Sequence, residues 1–462
     1  MEKEKLIEQL KALSGPEHVL TSDMDLTLYS YDASLERAMP DVAVLPGSTQ
    51  EVSEILGLAH QEKIPVVGRG SGTNLTGGTV PVAGGIVLHF SRMNRILEID
   101  IPNRTATVEP GVITLDLQNE VLKQGFVYQP DPASQKVSTL GGNIGENSGG
   151  PHCLKYGVTT NHVLGMEVVL NDGSVIWTGG KTPDSAGYDI KGLLVGSEGT
   201  LGVVTKIMLK LEPAPEAVKT LLAIYDTIED GANTVSAIIA EGIVPATLEM
   251  MDNIVMRAVE ETIHVGYPLD AAAVLIIELD GMPEGMDANA ERIMEICRQN
   301  HVREVKLAKD AAERAVLWAG RKGAFGAVGQ VRPSYVCCDG TVPRTRLPEV
   351  LSKVLEVGRK YDVPIGNVFH AGDGNLHPLI MFDDRDPEEK ARVLKASSEI
   401  LKLCADAGGT ISGEHGVGLE KISETCFIFS NTDLEFERTL KDAFDPDDIL
   451  NPGKMVPDQP CA

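Results

Sequence analysis

Pro65-Val66-Val67-Gly68-Arg69-Gly70-Ser71-Gly72-Thr73-Asn74-Leu75-Thr76-Gly77-Gly78 is the stretch on which the fold turns. A short apolar run enters a loop where glycine recurs between hydroxyl and amide residues, so the main chain can aim its N–H groups inward as a nest for a phosphate or pyrophosphate. Gly68, Gly70 and Gly72 alternate, so the G-x-G-x-x-G spacing of a Rossmann loop is absent, and no helical pattern follows directly. No Gly-Lys-Ser/Thr closes the segment, which excludes a P-loop. Taken alone, it could also be a glycine-rich structural turn.

Two further segments repeat the chemistry: Leu140-Gly141-Gly142-Asn143-Ile144-Gly145-Glu146-Asn147-Ser148-Gly149-Gly150-Pro151 and Gly196-Ser197-Glu198-Gly199-Thr200-Leu201-Gly202-Val203-Val204. Glycine lets main chain approach a ligand where side chains would clash. Three such segments, read as loops, call for one extended ligand, and a dinucleotide is long enough to touch all three.

Around them, residues 40–215 alternate short strands, such as Ile64–Val67, Ile86–Leu88 and Thr105–Glu109, with tight turns. A helix is predicted over Thr114–Leu122, closing at Gly125, and Val163–Leu170 runs into the hairpin signal Asn171-Asp172-Gly173-Ser174. Leu211-Glu212-Pro213-Ala214-Pro215 ends the glycine-rich part with two prolines in three residues, the best boundary in the chain. From about 216 to 400, helical patterns (Asp230–Glu241, Ala288–Asn300) alternate with strands such as Ala273–Leu279, the rhythm of helices packed on a sheet.

The 462 residues allow two or three domains, and 42% hydrophobic with 23% charged residues is an ordinary globular composition. Lys and Arg number 41 against 67 Asp and Glu, a net charge of -26 that repels nucleic acid and anionic membrane surfaces. A small anionic substrate would therefore need strong local positive charge. Seven scattered cysteines without a C-x-x-C pair signal neither a disulfide framework nor an iron-sulfur cluster. No apolar run approaches the roughly 18 residues of a membrane helix, and the charged N-terminus lacks a secretory pattern, so no transmembrane segment and a cytoplasmic location are expected.

His370-Ala371-Gly372-Asp373-Gly374-Asn375-Leu376-His377 and Gly413-Glu414-His415-Gly416 bring imidazoles and carboxylates into glycine-lined turns. A lone histidine is more often a satisfied core or surface residue. Two histidines with one glutamate, however, make a divalent-metal set that leaves positions open for substrate. Leu317-Trp318-Ala319-Gly320-Arg321-Lys322-Gly323 reads either as a helix C-terminus carrying cations that suit its dipole, or as the place where an Arg fork holds a carboxylate.

Together with Lys155-Tyr156-Gly157 and the closing Asn451-Pro452-Gly453-Lys454, these motifs resemble the FAD-dependent D-2-hydroxyacid dehydrogenases. That family includes D-lactate dehydrogenases and the FAD subunit of glycolate oxidase, within the vanillyl-alcohol oxidase and p-cresol methylhydroxylase superfamily. The resemblance runs from about Pro46 to Lys454 and implies an α+β fold: a two-subdomain FAD-binding domain of the p-cresol methylhydroxylase type plus an α+β cap domain. The expected ranges are 1–215 for the FAD domain, 216–410 for the cap and 411–462 for a segment returning to the FAD domain.

The resemblance assigns FAD contacts to Arg69, Gly70, Ser71, Gly72, Thr73, Asn74, Gly77, Gly78, Pro130 and Asp131. Further contacts fall on Gly141, Gly142, Asn143, Gly145, Asn147, Ser148, Glu198, Gly199, Gly202, Val203 and Asn451. Thr73 stands where some superfamily members carry a flavin-tethering histidine, so non-covalent FAD is expected, with His152 near the second loop as the other imidazole of that region. By the same resemblance His370, His377 and Glu414 bind a divalent metal (Zn, Fe or Mn), His415 is the base, and Arg321, with Lys322 as a weaker candidate, engages the substrate carboxylate. A metal on the 2-hydroxyl lowers its pKa as it does that of bound water, and an ordinary imidazole, pKa about 6.5, is mostly neutral at pH 7 and able to take the proton.

The implied reaction is oxidation of a small D-2-hydroxy acid, D-lactate first, with glycolate, D-2-hydroxyglutarate or a redox-neutral FAD transfer as alternatives. Electrons would pass to a separate carrier such as an electron-transferring flavoprotein.

Overall fold

The computed structural model describes residues 2–182 and 186–461. The chain divides into two compact units. Unit 1 is built from Met1–Gly149, Gly157–Ala214 and Glu414–Ala462, and unit 2 from Gly150–Tyr156 and Pro215–Gly413.

Among the described residues, unit 1 holds two larger sheets and a two-stranded ribbon. Strands β1 (Val19–Leu20), β2 (Val42–Val44), β3 (Val66–Arg69) and β4 (Ile86–His89) lie in the order β1-β2-β4-β3, parallel except for β1. The helix Thr49–Glu62 makes the crossover from β2 to β3. Ser48 caps it by accepting from the Glu51 N–H at 3.2 Å, and Val52, Ile55, Leu56 and Ala59 form its buried stripe against Val42, Val44, Ile86 and Leu88.

Strands β5 (Ile96–Asp100) and β6 (Thr105–Val108) open the second sheet. A two-stranded ribbon pairs β7 (Phe126–Val127) with β11 (Glu212–Pro213). Strands β8 (Val163–Val169), β9 (Val175–Gly179) and β10 (Val203–Lys210) complete the second sheet in the antiparallel order β5-β6-β10-β8-β9. The β8–β9 hairpin falls on Asn171–Ser174, where Asp172 accepts from the Ser174 N–H. The helix Thr114–Leu122 packs Leu117 and Val121 onto this sheet.

Unit 2 is a nine-stranded antiparallel sheet with its helices packed on it. Its strands are β12 (Ala217–Tyr225), β13 (Thr247–Asp252), β14 (Ala273–Gly281), β15 (Glu304–Leu307), β16 (Ser334–Cys337), β17 (Gly340–Thr341), β18 (Ile365–His370), β19 (Asn375–Leu376) and β20 (Pro378–Phe382). The order is β15-β12-β14-β13-β18-β19-β17, with β20 bridging β18 and β16. Val274 and Ile276 of β14 pack with the helices Asn253–Thr262 and Ala311–Ala327, while Leu275 and Ile277, pointing the other way, are equally buried.

Four expectations change. Leu140–Glu146 is a helix, not a loop: Thr139 caps it, and Leu140 and Ile144 anchor it in the core, which outweighs three unfavourable glycines. Arg321 and Lys322 lie inside the helix Ala311–Ala327 rather than at its C-terminus. Gly150–Tyr156, expected within 1–215, belongs to unit 2, because Lys155 and Tyr156 both bind Asp280 of β14. Residues 411–413 also stay with unit 2, since Thr410 bridges Thr341 and the Gly413 N–H reaches Asp339. One disulfide is present, Cys426–Cys461; its partners are 35 residues apart, and no spacing pattern marked them.

Candidate functional site

In unit 1, β3 delivers Arg69 to the start of the glycine loop, and its side chain turns inward. Nη1 donates to Thr79 Oγ1 at 3.1 Å and Nη2 to the Leu28 carbonyl at 3.4 Å, and burial pulls the guanidinium below its ordinary pKa. Arg69 is thus an internal brace. Gly72 has φ +68°, and a Cβ there would run into the Arg69 guanidinium; a Cβ on Gly70 would strike Thr139 Oγ1. Ser71 Oγ donates to the Val137 carbonyl at 2.5 Å, and Thr139 Oγ1 accepts from the Gly142 N–H at 3.2 Å, so the first loop lies against the start of the second segment.

The third segment joins them: the Glu198 N–H donates to the Gly145 carbonyl at 2.8 Å. A Cβ added to Gly145 or Gly199 would meet nothing within 4 Å. Other expected contact residues do structural work. Asn143 Nδ2 donates to buried Thr114 Oγ1 at 2.8 Å, Asn147 Oδ1 accepts from the Thr160 N–H at 2.9 Å, and Ser148 uses its carbonyl for Thr159. Gly141 packs on Pro110, Gly202 packs on Val168, and Val203 begins β10. The Pro130 carbonyl accepts from Gln118, and Asp131 is buried. Thr73 and Gly77 complete the first loop, and Gly78 sits between the Asn74 amide and Glu146, which bond to each other.

Asn451 is a staple. Its Nδ2 donates to the Gly78 carbonyl at 2.8 Å and the Glu198 carbonyl at 2.6 Å, and its Oδ1 accepts from Lys454 Nζ at 2.9 Å. Its own N–H donates to Val66 of β3. Glu198 accepts from the N–H groups of Val417 and Gly418 at 2.7 and 2.8 Å, and burial raises its carboxyl to about 6. Glu146, which sequence reasoning left out of the site, is raised well above the usual range, first by burial and then by Glu198. Thr76 Oγ1 donates to the His415 carbonyl at 3.1 Å, and the Leu419 N–H donates to the Thr76 carbonyl at 2.8 Å. The Glu414–Leu419 segment is therefore fixed to the first glycine loop.

In unit 2, the tight turn after β18 places His370 and His377 with ring centroids 5.1 Å apart and planes nearly perpendicular. Two imidazoles on one tetrahedral ion, at metal–nitrogen distances of about 2.0–2.1 Å, would have centroids roughly 5 Å apart, so the pair fits a shared divalent metal. Glu249, fully buried on β13, stands between His370 and Arg321: its Oε1 is 2.7 Å from His370 Nδ1, and its Oε2 accepts from Arg321 Nε at 2.7 Å. Burial acts to raise the Glu249 pKa, but the charges of Arg321 and His370 outweigh it and the net shift is downward.

Arg321 is 2% exposed. Its Nη2 lies 2.6 Å from Glu249 Oε2 as an ion pair but has no aligned hydrogen-bond acceptor among the described residues. Asp339 plays a parallel part at His377, 3.5 Å from Nε2, while its Oδ2 accepts from Ser412 Oγ and the Gly413 N–H. Glu414 and His415 follow Gly413 directly in the chain.

Lys322 is exposed and lies over the Trp318 ring, whose other neighbour is His152, stacked at 5.9 Å. His152 thus belongs to unit 2, with Glu278 at 3.6 Å. Glu249 and Asp339 were both missed from sequence. The available signal for Glu249 was a carboxylate at a core position of the otherwise apolar run Leu248-Glu249-Met250-Met251.

Residues 40–179 match the family described as FAD binding domain, and residues 214–455 match that described as FAD linked oxidases, C-terminal domain. The chain belongs to the FAD-linked oxidases, with FAD as its cofactor.

It is 45% identical to the glycolate oxidase subunit GlcD of Escherichia coli (strain K12), over 95% of this chain and 88% of that one. It is 33% identical to a D-lactate dehydrogenase of Anaerostipes hadrus, over 98% and 97%. The p-cresol methylhydroxylase structure with substrate bound superposes with a TM-score of 0.84 at 20% identity, covering 98% of this chain and 96% of that one, which bears out the expected fold. Among the described residues, no helix is long and apolar enough to cross a membrane.

Proposed function

We propose that this protein is an FAD- and metal-dependent dehydrogenase of a small 2-hydroxy acid, with glycolate as the first candidate substrate and D-lactate the second. The order follows the higher identity to a glycolate oxidase subunit, 45% against 33% to a D-lactate dehydrogenase. One observation carries the reaction class. A buried arginine, Arg321, with Nε and Nη2 paired to one oxygen of Glu249, stands two contacts away from a histidine pair spaced for a metal. A second carboxylate is the ligand that suits the donors at the other edge of its fork.

In this reading Arg321 holds the substrate carboxylate, and Lys322 adds positive charge at the more exposed edge. His370, His377 and Glu414 would hold the metal, whose chemistry would be to lower the pKa of the 2-hydroxyl. The chemistry FAD would supply is acceptance of a hydride, the C2 hydrogen with its bonding electron pair. His415 takes the hydroxyl proton, its main chain steadied by Thr76. Orientation of the C–H bond rests on Arg321, fixed in turn by Glu249. The relatives' designation as a subunit supports a separate electron carrier, for which an electron-transferring flavoprotein is suited.

Anaerobic mixing of the metal-replete flavoprotein with glycolate, D-lactate and L-lactate in turn, following the oxidised-flavin absorbance, tests the proposal. Bleaching by glycolate or D-lactate but not L-lactate is expected, and bleaching by none of them refutes it. His415→Ala is expected to keep FAD and slow reduction by at least about 100-fold, the scale of general-base catalysis; an unimpaired rate removes His415 from the role.

A further inference from the structure

We propose that Glu249 is a positioning residue that locks the substrate-binding arginine and one metal-binding histidine into a single unit. It holds His370 in the tautomer protonated at Nδ1, so that Nε2 carries the lone pair a metal takes. The inference rests on the reading above that His370 is a metal ligand.

The backbone fixes the arrangement first. Strand β13 is paired on both sides, to β14 and β18, and Glu249 and His370 are direct cross-strand partners in its register with β18. The pairing sets the two backbones opposite each other, and a one-residue slip would turn every residue of β13 to the opposite face.

The two carboxylate oxygens then divide their work. Oε1 takes His370 Nδ1 at 2.7 Å and the Thr247 hydroxyl at 3.3 Å, while Oε2 takes Arg321 Nε at 2.7 Å with Nη2 at 2.6 Å. A carboxylate that already takes the Arg321 guanidinium on its other oxygen faces His370 as an acceptor, which puts the proton of the facing imidazole nitrogen on Nδ1. Arg321 has five N–H donors in a planar fork, and Glu249 engages the Nε edge. The Nη1–Nη2 end of the fork is therefore the part left to grip a second carboxylate, with its angle set by Glu249. A substrate carboxylate and a metal would thus be registered to each other through one buried glutamate.

The test uses the FAD-loaded protein stripped of metal. Zn2+ affinity is measured by competition with a chromophoric chelator for wild type, Glu249→Gln and Glu249→Asp. Loss of such a supporting partner weakens metal binding by about 10–100-fold. That loss is expected for Glu249→Gln, with FAD content unchanged and a raised KM, and partial recovery is expected in Glu249→Asp, which keeps the charge.

Equal Zn2+ affinity in wild type and Glu249→Gln overturns the inference while leaving the proposed function standing; no Zn2+ binding by wild type overturns both. Should Glu249→Gln fail to fold, 15N-histidine NMR of the metal-free wild type at pH 8, with His370 assigned by its absence in His370→Gln, reads the tautomer directly. A proton on Nδ1 supports the inference, and a proton on Nε2 ends it.

Discussion

Asn451→Ala should cost the protein its FAD before it costs the protein its fold. The amide makes two neutral hydrogen bonds to buried carbonyls, Gly78 and Glu198, and one to the ammonium of Lys454. Lys454 is itself buried, and that burial pulls its pKa down to about 8. Neutral bonds are worth about 0.5–1.5 kcal/mol each and a bond to a charged group about 1.5–3, so truncation should remove roughly 3–6 kcal/mol.

For a unit of this size about 1 kcal/mol moves the melting temperature by roughly 2–4 °C, which predicts a fall on the order of 10 °C. The functional loss comes earlier, because the first and third glycine segments share this one amide. The assay is flavin absorbance retained through gel filtration, beside thermal unfolding of the FAD-free proteins. Asn451 has φ +43°, a conformation unkind to alanine, so Asn451→Gly separates the amide from the backbone effect. Both variants should lose FAD. A melting temperature within about 2 °C of wild type, with full flavin retention, would refute the reasoning.

Three other outcomes are expected. Gly72→Ala forces a left-handed alanine, costing about 1–2 kcal/mol, and drives its methyl into the Arg69 guanidinium, so flavin occupancy should fall while the unit 2 signal in hydrogen exchange stays as it was. Arg321→Lys keeps the charge beside Glu249 but loses the planar fork; the KM for the hydroxy acid should rise by at least about tenfold with little change in FAD binding, and an unchanged KM would move the carboxylate elsewhere.

Burial raises Glu420 to about 7. Its folded pKa lies above the unfolded one near 4.5, so ionisation penalises the folded state progressively as pH rises from about 4.5 to 7. At about 1.36 kcal/mol per pKa unit, Glu420→Gln should stabilise unit 1 by up to about 3 kcal/mol at pH 8 and by nothing at pH 4, as read by melting curves at the two pH values.

Local signals carried much of the architecture. The Asn171–Ser174 hairpin, the helix after Ile113 and the break at Pro213–Pro215 announce themselves within a few residues, because turn chemistry and periodicity are properties of neighbours. Leu140–Glu146 misled because three glycines in seven residues argue against a helix, while the core that favours one is assembled from distant strands. Arg69, one of the FAD contacts that the resemblance assigns, turns its side chain inward toward Thr79 and Leu28, ten and forty-one residues away. Glu249 stayed hidden for the same reason: its meaning comes from a neighbour 121 positions later, and only sheet register brings His370 opposite it.

The broken composition of unit 1 has a consequence for biosynthesis. Most of unit 2 is one continuous stretch, Pro215–Gly413, which is made before the Glu414–Ala462 segment of unit 1. Unit 1 must wait, since Asn451 and Lys454 sit in its last segment and Val66 of β3 is bridged by Leu450. Domains that form during synthesis generally do so in the order they emerge, yet here the unit begun first is finished last. Unit 1 is thus closed only once the segment that carries Asn451 is made, so a stop codon between Gly413 and Asn451 should yield a colourless protein with an intact unit 2.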